Sequence, residues 1–179
     1  MMKTNPSDAN DSALINAPFG QVSIAVHHQQ LIVELLPLMA NLQKLPVHGK
    51  VTLEKTSTHP LVIIACQQVM QYLQQASVTF TLPVNQQGTA FQQKVWQAIS
   101  AIPCGKTSTY TELAQQIGSG SRAVANACGA NQLPLLVPCH RVVAKSGLGG
   151  FMQGKHNGLL IKQWLLRHEG AQSSGGVNE

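Results

Sequence analysis

The sequence predicts an α+β fold, in which a small sheet-containing domain is followed by a mostly helical one. In the first part, residues 20–26 alternate between apolar and polar side chains and residues 31–36 form a short branched apolar run, both typical of strands. In the second part, apolar residues recur at spacings of three and four between tight turns, which predicts helices. With 179 residues and 44% apolar composition, the chain can build one good core or two small ones.

Changes in composition divide the chain into four predicted segments. The first is a flexible polar tail over residues 1–16, followed by an N-terminal α/β domain over residues 17–84. A C-terminal domain covers residues 85–170, and a second flexible tail covers residues 171–179. Within the N-terminal domain we expect a helix between residues 59 and 76, with Leu61, Ile64, Val69 and Leu73 on its apolar face. A further strand is expected over residues 78–83, ended by its proline.

The C-terminal half contains two short helices about a tight turn. Thr109 and Glu112 have the spacing of a capping box, and Gly118 suits the left-handed residue just past a helix end. Ser121 is positioned to cap the next helix, which runs to Cys128 and is rich in alanine. This arrangement predicts a helix-turn-helix, although helix hairpins are also common in protein cores.

The net charge of +5 is concentrated in the second half of the chain. Residues 1–88 carry four basic and four acidic side chains, whereas residues 89–170 carry eight basic and two acidic ones. A basic domain beside a neutral one favours a polyanionic partner, most simply nucleic acid. The alternative at this point is a basic surface that serves only solubility.

A short stretch around Cys139 is the strongest chemical signal. Cys139 lies between Pro138 and His140 inside an apolar run. A neighbouring imidazole and an ordered turn can lower the pKa of a thiol from about 8.5, so we interpret Cys139 as a nucleophile. The alternative is a buried cysteine in a strand, with Arg141 on its solvated edge.

The spacing of the four cysteines does not suggest a metal centre. The four are separated by 38, 24 and 11 residues, so none forms the close pair of a zinc site or redox dithiol. Free thiols fit a reducing compartment, and no apolar stretch reaches the roughly 20 residues that cross a bilayer. We therefore predict a cytoplasmic protein with no metal and no membrane association.

Together these motifs resemble the O6-alkylguanine-DNA alkyltransferases, also called methylated-DNA–protein-cysteine methyltransferases. The resemblance runs from Phe91 to Gly170 and is only general in the N-terminal half. Its matching residues are Phe91, Gln92, Lys94 to Trp96, Ile102, Pro103, Gly105, Thr109, Tyr110, Glu112 to Ala114, Arg122 to Val124, Asn131, Val137 to Val143, Leu165, Leu166 and His168 to Gly170.

The resemblance implies a role for four residues in alkyl transfer. Cys139 is the implied alkyl acceptor, and His140 and Glu169 form a relay that reaches the thiol through a water. Asn131 matches the hinge between the recognition helix and the active-site loop.

The family's fold implies that the N-terminal domain is ribonuclease H-like.

The resemblance also implies how DNA is held. Arg122 matches the arginine that replaces a rotated nucleotide in the base stack, and Tyr110 matches the tyrosine that helps to rotate it. The second helix is presented to the minor groove, where the small side chains Ala123, Ala125 and Ala127 permit close approach. The pocket for the flipped base is assigned to Tyr110, Val142, Phe151 and Met152.

The implied reaction is a single transfer to Cys139 that inactivates the protein, without a cofactor. Double-stranded DNA is the expected partner, and a monomer is expected. The rival interpretations are a DNA-binding relative with tryptophan in place of the cysteine, a helix-turn-helix regulator with a sensor cysteine, and a thiol hydrolase. Cys139 argues against the first, and no clear oxyanion site supports the last.

Three positions depart from the family's pattern. Gln132 replaces the proline that commonly follows the hinge asparagine, which predicts a looser turn. The segment 151–162 is longer than in human-type sequences. Cys128 lies in the second helix, where it is interpreted as a space-filling residue, with a response to oxidation as the alternative.

Overall fold

A four-stranded antiparallel sheet forms the N-terminal part of the computed structural model, which describes residues 11–38, 45, 49–83, 85–152 and 157–171. The strands are β1 (Ser12–Ala17), β2 (Gly20–His27), β3 (Gln30–Pro37) and β4 (Thr52–Lys55), in the order β3-β2-β1-β4. The two strands predicted from sequence correspond to β2 and β3. The N-terminal part is therefore built on hairpins, with β3 and β4 at the edges.

The predicted tail over residues 1–16 is too long, because β1 begins at Ser12 and lies inside the sheet. Its side chains alternate between buried and half-buried positions, with Ala13 and Ile15 facing the core. The surrounding Asn, Asp and Ser residues concealed this alternation in the sequence. Residues 1–10 and most of the predicted C-terminal tail lie outside the described residues.

Helix α1 (Pro60–Gln74) packs on β1 and β2. It begins where the ring of His59 accepts a hydrogen bond from the amide of Leu61. The predicted apolar face is only partly right, since Val69 and Leu73 are buried while Ile64 is 45% exposed.

The strand predicted over residues 78–83 is absent from the described residues of that segment. The side-chain oxygen of Gln68, on α1, accepts from the amides of Thr81 at 3.0 Å and Leu82 at 3.3 Å. These amides are thereby satisfied without a neighbouring strand. The segment consequently lies against α1 as irregular chain.

The C-terminal part consists mainly of four helices. They are α2 (Ala90–Ser100), α3 (Tyr110–Ile117), α4 (Ser121–Gly129) and α5 (Gly158–His168). Two short strands, β5 (Ser108–Thr109) and β6 (Val142–Val143), pair in parallel. Helices α2, α3 and α4 pack on one another, and no helix in the described ranges is long and apolar enough to span a membrane.

The predicted caps of α3 are confirmed and that of α4 is not. Thr109 and Glu112 form a reciprocal capping box, and Gly118 ends the helix with φ of +70°. Helix α4 instead starts after Gly120, and no side chain caps it, because Ser121 is already its first helical residue. The two helices are thus joined by a turn of only three residues.

The two parts of the chain share a core. Phe19, beside β1, packs edge-on against Trp164 of α5 with ring centroids 5.2 Å apart. The amide of Val33 on the edge strand β3 donates to the carbonyl oxygen of Gln132 at 3.0 Å. Since Gln132 follows α4, the sheet directly contacts the segment that leads to Cys139.

Candidate active site

Cys139 lies on a short 3-10 turn at the wall of a cavity. The turn spans Cys139–Arg141, and the amide of Arg141 donates to the carbonyl of Pro138 at 3.0 Å. Cys139 is half-buried, and the cavity has a volume of about 320 Å³. The cavity is lined by Tyr110, Ala125, Cys128, Gly129, Cys139, Gly150, Phe151 and Met152.

His140 does not line this cavity; it is buried and bonds Glu169. Its Nε2 lies 2.8 Å from Oε1 of Glu169, the residue that follows α5 as its C-cap. The ring is 1% exposed. The sequence places the two residues 29 positions apart, and the packing of α5 against the 3-10 turn brings them together.

Glu169 also accepts hydrogen bonds from two further side chains. Tyr72 on α1 donates its hydroxyl to Oε1 at 2.7 Å. The guanidinium of Arg141 donates from Nη2 to Oε1 at 2.8 Å and from Nε to Oε2 at 3.0 Å. Burial by itself raises the pKa of this carboxyl group, but the donors from His140, Arg141 and Tyr72 outweigh it and hold the pKa well below its usual range. Glu169 is therefore a carboxylate at neutral pH.

The surroundings of His140 favour one neutral tautomer. Burial lowers the pKa of the imidazole, and the hydrogen bond to Glu169 only partly opposes this effect. A carboxylate accepts but cannot donate, so Nε2 carries the proton and Nδ1 carries the lone pair. Nδ1 is buried and has no hydrogen-bond partner among the described residues. It is thus available as a proton acceptor.

The thiol of Cys139 is not activated by direct contact with its neighbour. Burial raises its pKa, while the side chain of Asn131 and the charge of Lys162 act in the opposite direction. In the described part of the chain, no hydrogen bond joins the sulfur to the imidazole of His140. The imidazole therefore does not act on the thiol by direct contact, and the relay through a water that the family resemblance implies stays a prediction.

Asn131 is held by a buried glutamine from the segment before α2. Gln86 is 6% exposed, and its Nε2 donates to Oδ1 of Asn131 at 2.8 Å. Nδ2 of Asn131 in turn donates to the carbonyl of Val137 at 2.9 Å, two residues before Cys139. Gln86 thus fixes the orientation of an amide that bonds the segment leading to the Cys139 turn.

Gln132 does not loosen the turn as its departure from the family's pattern predicts. Its amide donates to Oε1 of Gln86 at 3.1 Å, a bond that proline cannot make. Its carbonyl also accepts from Val33. The turn after α4 is therefore fixed by hydrogen bonds to Gln86 and to strand β3.

Two backbone features shape the aromatic side of the cavity. The hydroxyl of Tyr110 lies 3.4 Å from the carbonyl oxygen of Gly150 and donates to it. Gly149 has φ of +74°, and a Cβ placed there would lie 2.7 Å from Cε2 of Tyr110. The ring of Tyr110 therefore occupies space that only glycine at this position leaves open.

Comparison with known proteins identifies the family. Residues 90–171 match the family model described as "6-O-methylguanine DNA methyltransferase, DNA binding domain". The constitutive methylated-DNA–protein-cysteine methyltransferase of Bacillus subtilis is 44% identical over 113 residues, which are 62% of this chain and 67% of that protein. The crystal structure of Mycobacterium tuberculosis OGT in complex with DNA has a TM-score of 0.65 at 32% identity, covering 89% of this chain and 94% of that one. The chain belongs to the methylated-DNA–protein-cysteine methyltransferase family.

Other members of the family are longer than their match to this chain. The bifunctional transcriptional activator/DNA repair enzyme Ada of Escherichia coli is 47% identical over 105 residues, which are 58% of this chain but 29% of Ada. The chain thus spans less than a third of Ada. Its match to OGT extends through the N-terminal sheet, so the two share the α+β fold.

The structure supports some of the site residues that the family resemblance implies and corrects others. Tyr110, Phe151 and Met152 line the cavity. Val142 does not, since its side chain is fully buried in the core. Ala127 is 1% exposed, so its side chain packs inside the protein and cannot contact DNA.

The exposed surface near the cavity includes two of the other predicted DNA contacts. Arg122 on the first turn of α4 is exposed, and Ala123 beside it is half-buried. Ala125, a further small side chain expected to permit close approach to DNA, is exposed and lines the cavity. Cys128 also lines it, so a purely space-filling role understates its position.

Several residues of the site were missed in the sequence. Arg141 was given a solvated edge in the alternative in which Cys139 is a buried strand residue, and no role was assigned to it otherwise. It binds Glu169 and the carbonyl of Ile102. Tyr72, Gln86 and Lys162 were not considered, since polar side chains in regions of ordinary composition carry no motif.

In the described residues, no group of three His, Cys, Asp or Glu side chains could hold a metal ion.

Proposed function

We propose that the protein repairs alkylated DNA by transferring the alkyl group of O6-alkylguanine to Cys139. The observation that carries this proposal is the position of the thiol in a mostly apolar cavity, with the buried His140–Glu169 pair on the adjoining turn. Membership of a family named for this reaction supports it, because the matched region includes all three residues.

The proposed reaction is a direct displacement. The thiolate sulfur of Cys139 attacks the alkyl carbon, the sulfur–carbon bond forms, and the bond between that carbon and guanine O6 breaks. The electron pair of the broken bond remains on the guanine, which takes up a proton. Overall, the one proton that the thiol loses equals the one proton that the guanine gains. His140 supports this step by accepting the thiol proton at Nδ1 through an intervening water, and Glu169 stabilises the resulting imidazolium. The thioether is stable, so each molecule acts once.

Delivery of the base requires that it leave the duplex. Guanine O6 takes part in base pairing within the stacked helix, and flipping a damaged base costs a few kcal/mol. We assign α3 and α4 as a helix-turn-helix that approaches the minor groove, with Arg122 filling the vacated space and Tyr110 guiding the nucleotide. The exposure of Arg122 and the position of Tyr110 at the cavity support these roles.

The wider organisation follows the same assignment. We propose a ribonuclease H-like N-terminal domain that extends to residue 84 and includes β1, followed by the DNA-binding and transfer domain to residue 170. Double-stranded DNA is the proposed partner, with a monomer acting at each lesion and no cofactor taking part.

The test is an intact-mass measurement. The purified protein is incubated with duplex DNA that contains O6-methylguanine, and Cys139→Ala serves as the control. We expect one added methyl group per molecule, located on the Cys139 peptide, in a stoichiometric burst. A folded wild-type protein that gains no methyl group, or gains it equally in Cys139→Ala, would overturn the proposal.

A further inference from the structure

Lys162 is a fully buried cation beside the acceptor turn. It lies on α5, is 0% exposed, and donates from Nζ to the carbonyl of Val142 at 2.7 Å and to that of Gly150 at 2.9 Å. Val142 directly follows the turn that carries Cys139, and Gly150 lines the cavity. One ammonium group therefore joins two backbone segments that flank the thiol.

No ion pair joins the ammonium group of Lys162 to a carboxylate among the described residues. Its other neighbours are aromatic: Nζ lies 5.9 Å from the ring centroid of Tyr110 and 6.0 Å from that of Phe151. A buried ammonium group is costly unless an anion or several dipoles compensate it. The two carbonyl dipoles and the two ring faces compensate part of this cost, and a full negative charge close to Nζ would compensate more of it.

The groups that can become anionic near Lys162 are the thiols of the cavity. Cys139 and Cys128 both interact electrostatically with it, one from the 3-10 turn and the other from α4. The phenol of Tyr110 also faces Lys162. Burial raises the pKa of this phenol to about 12 and that of the Cys128 thiol to about 12, so both groups stay neutral. His140 also senses the charge of Lys162, which disfavours its protonated form. The thiolate of Cys139 is thus the anion that the reaction needs and that this charge favours.

The titration behaviour agrees with this geometry. Burial lowers the pKa of Lys162 to about 8, and a negative charge on Cys139 or Cys128 would oppose that effect. Reciprocally, the charge of Lys162 lowers the pKa of Cys139 against the effect of burial.

We infer that Lys162 stabilises the Cys139 thiolate through its positive charge, held in place by the carbonyls of Val142 and Gly150. It is a positioning residue, since it acts through the sulfur and not on the DNA. The inference rests on the proposed function for its purpose, but the thiol itself can be titrated without DNA. Once Cys139 is alkylated, the sulfur can no longer carry a negative charge.

Two substitutions separate the charge from the hydrogen bonds. Lys162→Gln retains an N–H donor without the charge, and Lys162→Met removes both. The exposed Lys50→Gln is the control for net charge. The pKa of Cys139 is measured from the pH dependence of its modification by iodoacetamide, quantified on the Cys139 peptide by mass spectrometry.

We expect the pKa of Cys139 to rise by about one unit in both Lys162 variants, so that modification at neutral pH slows about tenfold, and to be unchanged in Lys50→Gln. An unchanged pKa of Cys139 in folded Lys162→Gln would overturn the inference and leave Lys162 with a structural role only. If that pKa rises but wild-type protein transfers no alkyl group from DNA, the inference stands and the proposed function fails.

A reciprocal measurement covers the case in which the Lys162 variants do not fold. The ε-methylene signals of Lys162 are titrated by NMR in wild-type protein and in Cys139→Ser. We expect a lower pKa for Lys162 in Cys139→Ser, because the compensating thiolate is gone. Equal values in the two proteins would overturn the inference.

Discussion

The hydroxyl of Tyr72 donates to Oε1 of Glu169 at 2.7 Å, and the same oxygen lies 2.8 Å from Nε2 of His140. A helix of the N-terminal part thus supplies a buried donor to the carboxylate that orients the histidine next to Cys139. Burial, followed by the Glu169 carboxylate, raises the pKa of this phenol, so Tyr72 remains a donor across the physiological range. The N-terminal part is consequently a component of the active site.

Tyr72→Phe tests this connection. Removing one hydrogen bond to a buried carboxylate should lower the free energy of unfolding by about 1.5 kcal/mol. Urea unfolding at neutral pH provides the measurement, with the DNA-independent rate of Cys139 modification recorded in parallel. Wild-type stability in Tyr72→Phe would show that the bond contributes nothing net.

Glu169 should make stability depend on pH. Its pKa is lowered in the folded protein, so its contribution is fully present above the unfolded value of about 4.3 and is lost as pH falls toward the folded pKa. Glu169→Gln should lower the free energy of unfolding by about 3 kcal/mol at pH 7, because Arg141 loses its buried partner, and by less at pH 3.

Denaturant midpoints at the two pH values measure this difference. Glu34→Gln is the control, since Glu34 is an exposed glutamate on β3. A penalty for Glu169→Gln that stays the same from pH 7 to pH 3 would contradict the assignment of Glu169 as the ionised centre of the network.

Gln86 should matter although it contacts neither the thiol nor the cavity lining. Gln86→Ala leaves Asn131 and the amide of Gln132 without their partner, which should cost about 2 kcal/mol of stability. Because Asn131 braces the turn before Cys139, alkyl transfer should also slow about tenfold. Single-turnover transfer assays measure the rate, and the exposed Gln87→Ala is expected to match wild type. Equal rates of alkyl transfer in Gln86→Ala and Gln87→Ala would show that Gln86 does not support the reaction.

Arg122 should affect duplex DNA more than a free base. Arg122→Ala should slow transfer from duplex O6-methylguanine roughly tenfold, because filling an opened base step offsets part of the few kcal/mol that unstacking costs. Reaction with free O6-benzylguanine should be unchanged, since no base has to be flipped. The exposed Arg167→Ala controls for the lost charge. If both substrates slow equally in Arg122→Ala, the residue has no specific role in flipping.

The elements that the sequence predicted well carry local signals. The strands β2 and β3 and the capping box of α3 each depend on neighbouring residues or on a short motif. The central strand β1 was missed because polar neighbours concealed its alternation, and the strand over residues 78–83 was wrong because Gln68 satisfies the amides there.

The unpredicted part of the site depends on contacts between distant segments. Tyr72 and Gln86 reach residues 97 and 45 positions away, respectively. Arg141 could be identified only once α5 placed Glu169 beside it. A buried lysine such as Lys162 looks in the sequence like any other basic residue of a basic domain. Spacing alone does not reveal such long-range polar contacts, whereas motif residues such as His140 were found through the family resemblance.

Gly149 extends control of the cavity beyond its lining. It is absent from the cavity wall, yet any side chain there would press on the ring of Tyr110, which is part of the wall. A substitution that adds a single methyl group on this loop would narrow the cavity while leaving every lining residue unaltered. The size of the cavity is therefore set by the loop behind Tyr110 as well as by the residues that face the cavity.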